Sequence, residues 1–544
     1  MKIAFLVSLL FILTACFKGK KVDMIIHNAK IHTMDENNSI AEAMAIQNGK
    51  IVELGPERQI LNKYRADETI DAAGRDVFPG LADAHAHMMS LARMKLAANL
   101  FGCSSMEDLL VRLEKYDQKH TYKQLVGYGW NEQLWLKQEL PTNAEISKLF
   151  PVKPVVLYRV DGHAALLNNA ALKLCGFTKQ TQVEGGALIK NEQGELTGVV
   201  LDNVLELVKN KLPDFNQLEI EKALVEIQQE LFAFGITDVH EAGLSYQDFK
   251  LLDKLVSQRK IELGIYGMLY PTVANIAFAK KNGKYRNKNL SVRSFKVMAD
   301  GALGSHGAYL KQDYSDMPGN RGLLTTSVQE LNRVSKLCEL TGYQMNTHAI
   351  GDSTNRLILE LILGYVTKNP DHRWRIEHAQ VLDWNDLTLL NKSGAFPSVQ
   401  PTHAISDCGW AKVRLGDKRM KGAYAYKSIL AFSQMGMIAL GTDFPVEQLN
   451  PFLTIQAAVN RMDAENGPLG GFQTSEALDV TSCMKGMTIW PAFASFQEET
   501  KGSLELGKDA TFVVLENPFK VTGNFVSNYS HLTVIKGKKV FGDL

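Results

Sequence analysis

Eight short β-branched or apolar runs recur along the middle of this 544-residue chain, at 77–87, 235–241, 261–269, 295–300, 344–348, 374–378, 395–400 and 437–443. Stretches with apolar residues at three- and four-residue steps lie between them, such as 327–341 and 355–365, with Gly342 and Gly364 near their ends. Parallel strands need a crossover connection, and a helix is the usual one, so strand alternating with helix predicts an α/β protein of parallel βα units. Eight such units close a (β/α)8 barrel of the TIM type.

Nearly 150 residues separate the first run from the second, far more than a barrel loop needs. The segment 100–234 therefore reads as an α/β insertion after strand 1, with helices at 106–115 and 218–234 and a buried strand at 154–158. Outside the barrel, 22–77 carries short strands, with an Asn48-Gly49 step that marks a hairpin. Similar strands return at 510–515, 532–536 and 539–541, punctuated by Gly502, Gly507 and Gly537. These ends predict a small β-sandwich built from 22–77 and 497–544, with the barrel occupying 78–496.

The N-terminus departs from globular composition: Lys2 precedes an apolar run over 3–13 and then Leu13-Thr14-Ala15-Cys16. That pattern is a short secretory signal over 1–15, and it is too brief for the ~20 apolar residues of a spanning helix. It resembles the lipobox of bacterial lipoproteins, which implies lipid attachment at Cys16 and an exported, membrane-anchored protein. Phe17 stands where a retention aspartate would, which favours the periplasmic face of the outer membrane or the cell surface. The other five cysteines, Cys103, Cys175, Cys338, Cys408 and Cys483, are widely spaced and odd in number, so free and mostly buried thiols are expected. Lys plus Arg total 60 against 59 Asp plus Glu, and no basic stripe follows the first 21 residues. A nucleic-acid partner is excluded on that ground; a small-molecule substrate and a homodimer are expected.

Barrel enzymes place their chemistry at the C-terminal ends of the strands. The first run ends in His85-Ala86-His87, and residues two apart on a strand face the same side, so both imidazoles can converge on one cation. His348, His378 and Asp443 close the fifth, sixth and eighth runs, each after apolar residues that bury the backbone. Polar groups so placed are costly unless paired or metal-bound. Lys296 sits within the apolar fourth run, where a lysine is either neutral or paired. A neutral amine can take up carbon dioxide as a carbamate; a lysine reaching Asp300 or another carboxylate satisfies the same spacing.

These residues, with Phe78-Pro79-Gly80-Leu81, Gly129-Trp130, Asp161-Gly162-His163 and Asn168, Asp300-Gly301, Leu303-Gly304-Ser305, Gly351-Asp352, Arg375-Ile376-Glu377, Gly441-Thr442-Asp443-Phe444-Pro445 and 502–508, resemble the amidohydrolase superfamily. Within it the chain resembles the amidohydrolase-3 branch, which includes N-substituted formamide deformylase-like proteins. The resemblance implies two divalent cations, zinc by preference, with His85 and His87 on one, His348 and His378 on the other, and a carbamate on Lys296 between them. Asp443 lies beside the attacking water in this scheme, accepts its proton and hands it to the departing amine. His163 is expected to donate to the substrate carbonyl, Trp130 to wall the pocket, and Arg375 or Glu377 to orient His378. His306 stands where the family commonly has arginine, and with His403 and His240 it is a candidate to line the pocket. The implied activity is hydrolysis of carbon–nitrogen bonds other than peptide bonds, in linear or cyclic amides. An ester or lactone hydrolase would use the same centre, and a non-catalytic ligand-binding lipoprotein would keep the scaffold.

Overall fold

The computed structural model describes residues 19–543 apart from 121, 213, 367, 521 and 522, so the secretory signal and Cys16 lie outside the described residues. Eight parallel strands form the barrel: β1 (Leu81–Ala86), β2 (Ile236–Leu244), β3 (Gly264–Leu269), β4 (Leu290–Met298), β5 (Gln344–Ala349), β6 (Arg375–His378), β7 (Phe396–Val399) and β8 (Ala439–Leu440). They follow one another in chain order around the sheet. The pairing of β8 is brief, yet the chain beyond it closes the seam onto β1. Asp443 N donates to His85 O at 2.8 Å, and His87 N donates to Phe444 O at 2.8 Å. Each nominated run contributes one strand.

The helices between the strands start and stop for local reasons. Ser327 caps Val328–Thr341 by accepting from Glu330 N, and Gly342, at φ 66°, ends it in the left-handed conformation that glycine adopts without a Cβ penalty. Apolar faces of these helices pack outside the barrel, where Leu331, Val334, Ile358 and Leu359 join one core with strand residues such as Phe295, Met345 and Ile376. The lumen is polar instead. Residues from non-adjacent strands meet across it, as when Arg375 Nη1 reaches His240 Nδ1 at 3.1 Å and Tyr266 donates to Gln344 at 2.9 Å.

The insertion is a six-stranded mixed sheet in the order Gly186–Lys190, Leu196–Asp202, Ala164–Leu167, Val155–Arg159, Leu125–Trp130, Ala98–Asn99. One face packs against Met106–Lys119 through Leu109 and Leu113, and the other against Asn169–Cys175 and Asn203–Lys211 through Leu172 and Val204. The helix Gln217–Ala233, which sequence spacing placed in the insertion, turns Ile220, Leu224, Ile227 and Leu231 into the barrel core and so belongs to the barrel by its packing.

Both chain ends build the β-sandwich. A four-stranded sheet (Lys50–Gly55, Ala43–Gln47, Lys20–His27, Tyr64–Asp71) faces a six-stranded one (Lys538–Phe541, Ser530–Ile535, Phe512–Leu515, Asp76–Pro79, Lys30–His32, Ile40–Ala41). Met24, Ile26, Met44 and Ile46 meet Val77, Phe512 and Val534 between them. Where the sandwich passes into the barrel, a Cβ on Gly80 would lie 2.3 Å from Thr237 Oγ1, so only glycine fits. The five cysteines among the described residues are free, and all but the half-buried Cys408 are buried. Among the described residues no helix is long and apolar enough to cross a membrane.

Candidate metal centre

The ends of β1, β5 and β6 and the turn after β8 bring five of the nominated residues together. His85 donates from Nδ1 to Glu377 Oε2 at 2.6 Å, with both side chains fully buried. That bond fixes the ring and leaves Nε2 facing Asp443 Oδ1 at 3.6 Å and Lys296 Nζ at 3.3 Å. His87 Nε2 lies 3.1 Å from the same Asp443 oxygen. The rings of His348 and His378 are 4.6 Å apart, and that of His378 is 4.8 Å from that of His85. His378 and Asp443 both hold positive φ, 73° and 63°. Non-glycine residues pay about 1–3 kcal/mol for sparsely populated backbone regions, a strain that persists where surrounding structure and function demand it.

His403 joins the cluster from the helix Pro401–Ser406 after β7. Its Nε2 is 3.1 Å from Asp443 Oδ2 and its Nδ1 3.2 Å from Glu447 Oε1. Two triads therefore have potential ligand atoms mutually within 4.8 Å: His85, His87 and Asp443, and His378, His403 and Asp443. Asp443 is common to both. Three atoms at this face, His348 Nε2, His378 Nδ1 and Asp443 Oδ1, are buried without a hydrogen-bond partner. Orphaned lone pairs in such a setting are expensive, and a divalent cation satisfies them; imidazole nitrogen with carboxylate oxygen is a donor set that suits zinc.

Electrostatics agree with that chemistry. Burial pushes the Lys296 ammonium down to about 8, against the pull of Glu377 and Asp443, so the neutral amine is far more accessible than in an exposed lysine, though the ammonium still predominates at neutral pH. Burial, followed by the charge of Lys296, brings His85 down to about 4, which leaves its imidazole neutral. Burial alone would raise Asp443, but His85, His403 and His87 hold it well below the usual carboxylate range. Burial likewise opposes charge on His163, yet the hydrogen bond to Asp202 raises it.

Several expected partners are rearranged. Asp300 does not take up Lys296; it accepts from the backbone N–H groups of Ile350, Gly351 and Tyr309 at 3.0, 2.9 and 3.0 Å, fixing the turn after β5. Glu377 orients His85, not His378, because alternation on β6 turns it inward towards β1, and Arg375 meets His240 and the Ala84 carbonyl lower in the lumen. His163 approaches from the insertion, its ring 5.7 Å from that of His348 and its Nδ1 2.9 Å from Asp202 Oδ1. Trp130 is not a pocket wall. It is fully buried in the insertion's core with its indole N–H on Leu157 O at 2.6 Å, the pairing a buried indole requires. His306 stands apart, paired with Asp316 at 3.1 Å beside Tyr314. Asp202 and Glu447 were not singled out from the sequence. Glu447 follows Asp443 by four residues and could have been noticed there, whereas Asp202 ends a strand of the insertion and carries no local signal.

Comparison with known proteins places this geometry. A sequence profile described as the amidohydrolase family matches residues 68–541. YtcJ of Bacillus subtilis (strain 168), whose name assigns it to the amidohydrolases, is 32% identical over 516 residues, 91% of this chain and 94% of that protein. The N-substituted formamide deformylase of Arthrobacter pascens is 23% identical, over 91% of this chain and 93% of its own length. Among solved structures, an uncharacterised metal-dependent hydrolase from Pyrococcus horikoshii OT3 superposes with a TM-score of 0.76 at 25% identity, covering 92% of this chain and 99% of that one.

Proposed function

This chain belongs to the amidohydrolase family and is a metal-dependent hydrolase of that superfamily, and from that premise we propose that it cleaves carbon–nitrogen bonds other than peptide bonds, in linear or cyclic amides. The observation that carries the reading is the position of Asp443, whose two oxygens each face a different group of imidazoles. One carboxylate so placed can take a proton from water and return it to a nitrogen leaving group, the step without which an amine leaves poorly.

His85, His87 and Asp443 would hold one cation, and His348 and His378 a second, with Lys296, as its carbamate, between them. Bound zinc would supply a water acidic enough to attack near neutral pH and would polarise the substrate carbonyl. The residues of the chain do the rest. Glu377 keeps His85 in the orientation that turns Nε2 to the centre. His163, its Nδ1 held on Asp202, would turn Nε2 towards a carbonyl oxygen of the substrate, and the same carboxylate favours the ring's protonated, donating form. Likeness to the formamide deformylase supports an amide as the bond broken. We further propose an exported protein anchored through lipid on Cys16, and a homodimer in solution.

Elemental analysis of the purified protein, prepared without chelator, tests the metal arm: near two equivalents per chain is expected. Metal-loaded protein is then assayed against N-formyl amines, cyclic amides, esters and lactones. Turnover of amides with esters inert supports the reading. Turnover of esters or lactones alone would replace it, and metal-free protein that still binds ligands would leave only a binding scaffold.

A further inference from the structure

We propose that His403 is a ligand of the second cation, oriented for that role by Glu447; the inference rests on the metal-dependent reading above and deepens it. His348 and His378 with the Lys296 carbamate would give that cation three protein ligands, and a zinc shell that can expand to five leaves room for one more beside the attacking water. The geometry supplies more on that side. His403, His378 and Asp443 present ligand atoms all within 4.8 Å of one another, as His85, His87 and Asp443 do.

The arrangement behind the ring makes the case specific. A metal-binding histidine generally gives its other ring N–H to a carboxylate, which fixes the tautomer and raises the basicity of the ligating nitrogen. His85 shows that pattern, with Nδ1 on Glu377 and Nε2 towards the centre. His403 repeats it, with Nδ1 on Glu447 at 3.2 Å and Nε2 beside Asp443 Oδ2 at 3.1 Å. Glu447 is itself held, accepting from Ser406 Oγ at 2.5 Å, one helical turn from His403. A histidine that only lined a substrate pocket would need neither the carboxylate behind it nor a hydroxyl fixing that carboxylate. Its side chain is 12% exposed, so its nitrogens face the centre and Glu447 more than solvent.

The test is metal binding rather than turnover. Full-length wild type, His403→Ala and Glu447→Gln are loaded with cobalt(II), and equivalents per chain, affinity in chelator competition and the visible absorption of the bound ion are measured. Two equivalents are expected in wild type. His403→Ala should keep the equivalent at His85 and His87 and bind the other about 10- to 100-fold more weakly, with an altered cobalt spectrum, and Glu447→Gln should show a loss in the lower part of that range. Free imidazole added to His403→Gly should restore the spectrum. Retention of the first equivalent reports that each variant is folded; should His403→Ala not fold, Glu447→Gln decides, since its side chain is partly exposed and isosteric.

Both equivalents held at wild-type affinity in folded His403→Ala and Glu447→Gln would overturn the inference, as would a wild type that binds one ion and keeps it when His403 is removed. Either result leaves the metal-dependent hydrolase standing. A wild type that takes up no cobalt or zinc overturns the underlying reading as well.

Discussion

Replacing Glu377 by glutamine should weaken the first cation, not the second. The carboxylate accepts from His85 Nδ1 at 2.6 Å with both groups fully buried, and its other oxygen lies 3.8 Å from the Arg375 guanidinium. A hydrogen bond to a charged partner contributes about 1.5–3 kcal/mol net, and a glutamine of the same shape retains a neutral bond of about 0.5–1.5 kcal/mol. The difference, about 1–2 kcal/mol, corresponds to roughly 5- to 30-fold in an equilibrium constant, since 1.4 kcal/mol is tenfold. It also overlaps the ~10- to 100-fold seen when partners behind metal ligands are changed. Loss of the charge leaves Arg375 buried opposite a neutral group, which lowers stability in addition. The assay is competition between the protein and a chromogenic chelator, with circular dichroism to establish that the variant is folded. Affinity for the first ion within about twofold of wild type, in folded protein, would show that the Glu377–His85 bond does not set ligand strength; an equal loss at both ions would place Glu377 in general stability instead.

Asp443→Asn should leave the fold largely intact while weakening the cation at His85 and His87 and, in protein kept loaded with excess metal, lowering hydrolysis by about 10²–10⁴, the span of a positioned acid–base group; retained turnover would remove it from proton transfer. Lys296→Ala should lower the metal content found by elemental analysis, with short carboxylates restoring part of it; unchanged stoichiometry would sink the carbamate bridge. Burial raises Glu241 to about 8, although it accepts from the backbone N–H groups of Met89 and Met88. Its folded value exceeds the unfolded one, so its contribution is intact below about 4.3 and declines as pH rises from there to about 8. Glu241→Gln should flatten that part of the profile of thermal inactivation against pH, and an unchanged slope would count against it. Trp130→Ala should cost about 3–5 kcal/mol through the cavity it leaves, without shifting substrate preference if the insertion still folds, as kcat/KM ratios across a substrate panel would show.

The barrel was legible because its signal is local and repeated. Each strand is an apolar run bounded by turn residues, and the residues bearing chemistry stand at the ends of those runs, where chain direction alone puts them on one face. His85, His87, His348, His378 and Asp443 could be nominated without knowing any contact. The sandwich built from distant ends was legible for the same reason, since short strands and glycines mark both. What sequence spacing could not supply was any choice between partners that lie far apart in the chain. Glu377 sits beside His378 in sequence and yet binds His85, 292 residues away. Lys296 has Asp300 four residues on and turns to His85 instead. Trp130 stands in a motif that suggested a pocket wall, and the insertion's own core claims it. Glu447 gained its place only when the turn after β8 met the helix after β7. Periodicity fixes which side of a strand a group faces; only the closed barrel and the sheet laid over it decide which distant group it finds there, because those pairings are settled by packing and desolvation summed over the whole lumen.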